Sequence, residues 1–115
     1  MPYCEIITNV SLNHEAVEAL SLELSGLVSR LLSKPESYVM ACVLPAQALV
    51  FAGSSDPAAH VRLDSIGLPE SACPELSAKL CEFVEQRVGA PASRTYVDFR
   101  DLERTRFGWS GKTFG

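Results

Sequence analysis

The residue most able to do chemistry stands at the start of the chain, in the dipeptide Met1-Pro2. Aminopeptidases remove an initiator methionine that precedes a small residue such as proline, and this leaves a secondary amine on Pro2. A free α-amino group titrates near ~7.7–8.0, and burial or a nearby cation lowers its pKa further. Such an amine is a general base close to neutral pH. An ordinary extended N-terminus can begin with the same dipeptide, so Met1-Pro2 alone does not identify a catalytic base. The surrounding elements have to support this interpretation.

No other catalytic or metal-binding motif is evident. The sequence has no Ser/His/Asp set, no glycine-rich phosphate loop and no metal-ligand spacing, so we predict no metal and no cofactor. His14 and His60 receive no role. The four cysteines lie too far apart for a C-x-x-C pair, and we predict reduced, buried thiols in a cytoplasmic protein rather than disulfides: Cys4, Cys42, Cys73 and Cys81.

Length and composition indicate one folded domain over residues 1–115. The chain is 47% hydrophobic and 21% charged, which is enough for a core and too apolar for disorder. A net charge of −4 argues against binding to nucleic acid or to an anionic membrane. No stretch predicts a membrane span or a signal peptide, and secretion without a signal peptide stays an open alternative to the cytoplasm.

Hydrophobic periodicity predicts two similar units. Strands are expected at 3–9 and 38–44, on either side of a helix over 13–34 whose apolar residues recur every three or four positions. The same order returns with strands at 61–66 and 95–100 around a helix that starts near Pro74 and ends at Gly89. We also expect short edge strands at 48–52 and 107–109.

Two strand–helix–strand units predict an α/β (α+β) fold of tandem βαβ units. Right-handed crossovers place both helices on one face of a shared four-stranded mixed sheet. The other face still carries apolar side chains that two helices cannot cover. We therefore expect the chain to self-associate through it into a ring-like oligomer.

Six motifs extend along the whole chain in a specific order. They are Met1-Pro2 with Thr8-Asn9-Val10, Lys34-Pro35 with Tyr38-Val39, Phe51-Ala52-Gly53-Ser54-Ser55-Asp56-Pro57, Ser65-Ile66-Gly67, Arg94-Thr95-Tyr96-Val97, and Gly108-Trp109 with Thr113-Phe114. In this order and spacing they resemble the macrophage migration inhibitory factor family of the tautomerase superfamily. The resemblance implies a homotrimer whose sheets line a central channel, which agrees with the uncovered sheet face.

The resemblance also implies roles for particular residues. Pro2 corresponds to the catalytic base, Lys34 to the cation that binds the substrate carboxylate, and Ile66 to a backbone N–H that meets the substrate. The remaining residues correspond to the pocket wall, two of them supplied by the neighbouring subunit: Tyr38, Phe107 and Trp109 from the same chain, Tyr96 and Asp98 from the neighbour. Taken singly, each aromatic is better explained by core or interface packing, and only the set together with Pro2 favours a pocket.

Asp98 departs from the asparagine of animal family members and brings a negative charge towards a carboxylate pocket. At an effective dielectric constant of about 20, two like charges about 4 Å apart cost about 4 kcal/mol. Arg100, two residues further on and on the same strand face, is the expected partner. Ser33 replaces the glycine usual before Lys-Pro, which we expect to cost some stability at the helix end.

Two further departures bear on function. The family's C-x-x-C element is Ala58-Ala59-His60-Val61 here, which excludes thiol–disulfide chemistry by that route. Leu12 and Ala46 occupy the positions of the Arg and Asp of the animal receptor-binding surface, so mimicry of an animal cytokine through that pair is unsupported.

We therefore predict an enzyme, a cofactor-independent keto–enol tautomerase. The resemblance implies small aryl keto acids of the phenylpyruvate type as substrates, with dopachrome-type isomerisation as a further reaction of the same site. The alternative is a cytokine-like trimer that binds a protein receptor and keeps a vestigial pocket.

Overall fold

Strands and helices alternate along the chain, and the computed structural model describes residues 1–115. The elements are β1 (Tyr3–Thr8), α1 (His14–Leu32), β2 (Met40–Leu44), β3 (Ala59–Ile66), α2 (Cys73–Phe83), β4 (Thr95–Leu102), β5 (Gly108–Trp109) and β6 (Lys112–Thr113). The main sheet has the order β2-β1-β3-β4. Strand β1 is parallel to β2, β3 is parallel to β4, and the two pairs join antiparallel through β1 and β3. This topology confirms the tandem βαβ prediction and the mixed four-stranded sheet.

Helix α1 forms where the sequence provides a cap and an apolar stripe. The Asn13 side chain accepts a hydrogen bond from the Ala16 amide at 2.8 Å, which satisfies one free N–H of the first turn. The helix ends at Ser33, whose φ of 52° is left-handed. The residues of the stripe that are fully buried against the sheet are Leu20, Leu24 and Val28.

Helix α2 covers the second unit on the same side. Pro74 lies in its first turn, where its missing N–H leaves no hydrogen bond unmade. After Phe83 the chain makes a π-helical turn over Val84–Val88, and Gly89 ends it with a φ of 98°. Both helices pack on one face of the sheet around a core that includes Ile6 and Leu63, each fully buried.

The structure corrects three expected strands. Strand β2 begins at Met40 instead of residue 38, because Pro35 opens a single 3-10 turn in which the Tyr38 amide donates to the Pro35 carbonyl at 3.0 Å. Residues 48–52 form no strand. Their loop turns back on itself, with Phe51 and Ser54 exchanging both backbone hydrogen bonds at 3.0 Å.

The third correction concerns residues 107–109, which do not extend the main sheet. Gly108 and Trp109 instead pair with residues 112–113 in a separate hairpin, β5–β6. Ser110 and Gly111 have φ values of 53° and 81°. Two positive φ values in a two-residue loop describe the tight turn that matches the twist of a hairpin, and such a turn lets a short segment pair locally.

The sheet face opposite the helices, called here the open face, is more polar than the sequence indicates. Strand register places Glu5, Arg62 and Asp98 side by side across three strands, so that charges of alternating sign are neighbours. Met40 and Tyr96 are exposed on the same face, 67% and 65% respectively. The open face therefore carries both ion pairs and the exposed apolar side chains expected of it. No helix of the chain is long and apolar enough to cross a membrane.

Candidate active site

A cavity of about 420 Å³ opens beside the start of β1, and Pro2 is part of its wall. The Pro2 ring is fully buried. Its carbonyl accepts a hydrogen bond from the Met40 amide at 3.0 Å, which ties the chain start to the beginning of β2. The cavity wall comes from β1, from the turn before β2, from β3 and β4, and from the C-terminal hairpin. Nine of its 14 residues are hydrophobic, so the site suits a small ligand with an apolar body.

Aromatic side chains form one wall of this cavity. The Tyr38 and Trp109 rings meet edge to face, with their centroids 5.8 Å apart. Trp109 also stacks on Phe114 at 6.3 Å, and Phe107 lies 5.9 Å from Phe114. The hairpin is closed onto this cluster by the Phe114 amide, which donates to the Phe107 carbonyl at 3.1 Å. The wall therefore depends on the hairpin that replaces the expected edge strand.

A positive side chain acts on the amine at the chain start. Burial and, to a smaller extent, the charge of Lys34 lower the pKa of the Met1 amine below its ordinary value of 8.0. Lys34 follows the left-handed Ser33, which turns the chain at the end of α1. Its Nζ lies 3.5 Å from the Ile66 carbonyl oxygen, at the end of β3. The amine at this end of β1 is therefore held in conditions that favour its neutral form.

The structure brings together only some of the residues singled out from the sequence. Pro2, Tyr38, Phe107 and Trp109 line the cavity. Lys34 and Ile66 contact each other and lie outside the lining. Two more residues, Tyr96 and Asp98, lie on β4 away from the lining of their own chain, so their part in a pocket stays a prediction that requires a neighbouring subunit.

The expected partner of Asp98 is confirmed. Arg100 Nη2 lies 3.1 Å from Asp98 Oδ2, and Arg100 Nε lies 3.3 Å from the same oxygen. The two side chains project from the same face of β4, as their spacing predicts. The charge of Asp98 is therefore compensated within its own chain.

Sequence reasoning missed several residues of the cavity, above all the ion pair of Arg62 and Asp64. Arg62 Nη2 lies 2.7 Å from Asp64 Oδ2, and both side chains line the cavity. Arg62 also lies over the Tyr3 ring, with its Cζ 5.8 Å from the ring centroid. Burial and a 2.7 Å hydrogen bond to Glu5 raise the pKa of Tyr3 to about 12, so its hydroxyl stays protonated.

An Arg-x-Asp spacing in a strand was the available signal for this pair, because residues two apart share a sheet face. The spacing alone does not say that a cavity lies beside them. Other lining residues that received no site role from the sequence include Tyr3, Ser37, Met40, Leu102 and Phe114.

No group of three or more His, Cys, Asp or Glu side chains is arranged to hold a metal ion. All four cysteines are free, but only Cys4 is buried as predicted, whereas Cys42, Cys73 and Cys81 are partly exposed. What the site offers is an apolar pocket, aromatic edges, a weakly basic nitrogen and positive charge, which suits proton transfer on a small anionic ligand.

The fold is that of a small α+β protein of the tautomerase-superfamily type. The model of the macrophage migration inhibitory factor family matches residues 1–115. A macrophage migration inhibitory factor homologue of Brugia malayi is 38% identical over 116 residues, covering 100% of both chains.

Two solved structures are similar over nearly the whole chain. The homologue from Prochlorococcus marinus has a TM-score of 0.92 at 36% identity, covering 98% of this chain and 99% of its own. The Trichinella spiralis protein has a TM-score of 0.89 at 36% identity, covering 97% and 99%. The chain belongs to the macrophage migration inhibitory factor family.

Proposed function

We propose that this protein is a cofactor-independent keto–enol tautomerase that acts on small aryl keto acids of the phenylpyruvate type. The observation that carries the proposal is the position of Pro2 in the wall of a cavity of about 420 Å³ lined mainly by apolar groups. Beside it, burial and Lys34 lower the pKa of the chain's first amine. Family membership adds weight, because the family resemblance implies this activity.

In the proposed mechanism, removal of Met1 frees the Pro2 nitrogen. The same burial and the same positive charge would then act on that nitrogen and keep it unprotonated near neutral pH. The neutral amine removes a proton from one atom of the keto–enol system and returns a proton to another, so no cofactor is consumed. Lys34 and the Ile66 amide would stabilise the negative charge that develops on the oxygen.

The complete pocket would need a neighbouring subunit. Tyr96 is 65% exposed although it is a large aromatic residue, which fits a role at a contact between copies. We propose a homotrimer in which Tyr96 and Asp98 of one chain reach the pocket of the next. Dopachrome-type isomerisation would use the same base.

The test follows the loss of phenylpyruvate enol by absorbance, after mass spectrometry of the N-terminus has verified that Met1 is absent. We expect Pro2→Gly to lower kcat/KM at least tenfold, which is about 1.4 kcal/mol of transition-state stabilisation. One extra residue ahead of Pro2 should abolish activity, because the nitrogen becomes an amide. A smaller loss in Pro2→Gly would count against Pro2 as the base.

The role of Lys34 has its own measurement, the pH profile of kcat/KM. Activity needs the neutral amine, so the profile should rise with pH through the amine pKa. Lys34→Gln removes one of the two causes that lower this pKa, and we expect the rising limb to move to higher pH and KM to increase. Lys79→Gln removes an exposed lysine of α2 and serves as the matched control, with an unchanged profile.

A second candidate is a cytokine-like trimer that binds a protein receptor, and the name borne by the family favours it. The two candidates are separated by the same assay. A trimer with an intact, unblocked Pro2 and no turnover of any aryl keto acid would favour the binding protein.

Four free cysteines fit a reducing compartment, and we propose a cytoplasmic location.

A further inference from the structure

The ion pair of Arg62 and Asp64 is built to hold one guanidinium in a fixed position. Arg62 Nε lies 3.1 and 3.0 Å from the two carboxylate oxygens of Asp64, and Nη2 lies 2.7 Å from Oδ2. The Asp64 side chain is only 5% exposed, whereas that of Arg62 is 35% exposed. A two-pronged contact of this kind fixes the plane of the guanidinium and its direction.

The third nitrogen of Arg62 is left available. Nε and Nη2 make all of the Arg62 hydrogen bonds within the chain, and none involves Nη1. A guanidinium has five N–H donors and can hold two carboxylates at once, one on each side of the fork. The Tyr3 ring beneath the guanidinium supports it from one face.

Arg62 is also the only positively charged side chain in the cavity wall. Lys34 acts on the amine of the chain start, but it lies outside the lining and its Nζ is directed to the Ile66 carbonyl. The cavity therefore has two cations associated with it at different places. One affects the amine, and the other is part of the wall beside Tyr3 and Asp64.

We infer that Arg62, held by Asp64, binds a second carboxylate, and that the pocket prefers aryl keto acids that carry a carboxylate on the ring as well as on the keto acid. As a statement about substrates, this rests on the proposed function. Asp64 offsets part of the Arg62 charge, but its oxygens face Nε and Nη2, so Nη1 stays free to donate to an incoming carboxylate. In a pocket of low polarity such a charge-assisted hydrogen bond is strong.

The test measures binding of inert ligands and does not need turnover. Trp109 is the only tryptophan of the chain and lines the cavity, so its fluorescence reports occupancy. Phenylacetate and 4-carboxyphenylacetate are titrated at low ionic strength. We expect the dicarboxylate to bind about tenfold more tightly to the wild-type protein, and added salt to reduce this preference.

The variants locate the preference. Arg62→Gln should abolish it, and the double variant Arg62→Gln/Asp64→Asn should do the same while leaving no buried carboxylate unpaired. The matched control is Arg87→Gln, which breaks a forked pair with Glu23 between the π-helical turn and α1 and should leave the preference intact.

Equal affinity of the wild-type protein for the two ligands would overturn the inference. So would a preference that survives in both Arg62 variants, or one that Arg87→Gln also removes. Turnover of phenylpyruvate enol by the same wild-type sample is recorded alongside. Absence of turnover would refute the proposed function. A preference for the dicarboxylate that depends on Arg62 would still identify the ligand class of the pocket.

Discussion

Replacing Arg94 by alanine should destabilise the protein, because this side chain holds the loop between β2 and β3. Its Nη1 donates to the Phe51 carbonyl at 3.1 Å and its Nη2 to the Ser54 carbonyl at 3.0 Å. Nη2 also reaches the Asp56 carbonyl at 3.1 Å, and Nε reaches the Pro57 carbonyl at 3.0 Å. One guanidinium thus donates to four carbonyls of a loop that has no strand partner.

The size of the effect follows from which of these bonds water can replace. The bonds to Phe51 and Ser54 are partly buried, and the other two are exposed. A hydrogen bond to a charged group contributes about 1.5 kcal/mol or more when water is excluded, and almost nothing when water can take its place. We therefore expect Arg94→Ala to lower the free energy of unfolding by about 3 kcal/mol. At an unfolding entropy of about 2.1 cal/mol/K per residue, this corresponds to a Tm lower by about 12 °C for a chain of 115 residues.

The assay is urea and thermal unfolding followed by circular dichroism, at one protein concentration because association also affects stability. Arg94→Lys keeps the charge without the fork and should lose about half as much. Arg106→Ala is the control, since its 3.4 Å pair with Glu103 is exposed on both sides and should contribute at most about 0.5 kcal/mol. An Arg94→Ala protein within about 1 kcal/mol of the wild type would refute the reasoning.

Three further predictions concern single groups. Ser33→Gly should raise the free energy of unfolding by about 1 kcal/mol, because glycine adopts the left-handed conformation of this position without strain. Ser25→Gly, inside α1, should lower the free energy of unfolding. A urea series in which both substitutions lower the free energy of unfolding would contradict the cap argument. Burial raises the pKa of Cys4 to about 12, so a thiol reagent should label Cys4 last in the native protein, and early labelling of a peptide containing Cys4 would show that β1 opens. In the protein that retains Met1, the folded-state amine pKa is below 8.0, so the unfolded chain binds more protons between the two values. Stability should therefore rise with pH across that window and level off above it; an N-acetylated protein that shows the same slope would disprove the assignment.

Local patterns were sufficient for much of the fold. The apolar spacing of α1, the cap at Asn13 and the stop near Pro35 are all short-range signals, and the structure contains a helix over His14–Leu32 as they predict. Strand alternation likewise placed Asp98 and Arg100 on one face, and their side chains are paired there at 3.1 Å. These features depend on residues two to four positions apart, which a sequence displays directly.

The errors fell where the partner is distant. Residues 48–52 have an apolar composition that suits a strand, yet their loop is held by Arg94. This residue donates a hydrogen bond to the Phe51 carbonyl although it lies more than 40 positions further along the chain. Asn9 adds to this, since its side-chain amide donates to the Leu49 carbonyl at 3.1 Å. The composition of the segment does not predict that side chains from two other parts of the chain donate hydrogen bonds to its carbonyls.

Amino-acid order alone determined the two βαβ units, the position of Pro2 ahead of the first strand and the aromatic residues available near the C-terminus, because each is set by neighbours along the chain. The tertiary structure decided that Trp109 and Phe114 line the same cavity as Pro2 and that Arg62 and Asp64 line it too. The physical reason is that a cavity is enclosed by side chains from several elements at once. Its shape and charge therefore depend on register and packing, which are properties of the folded chain as a whole.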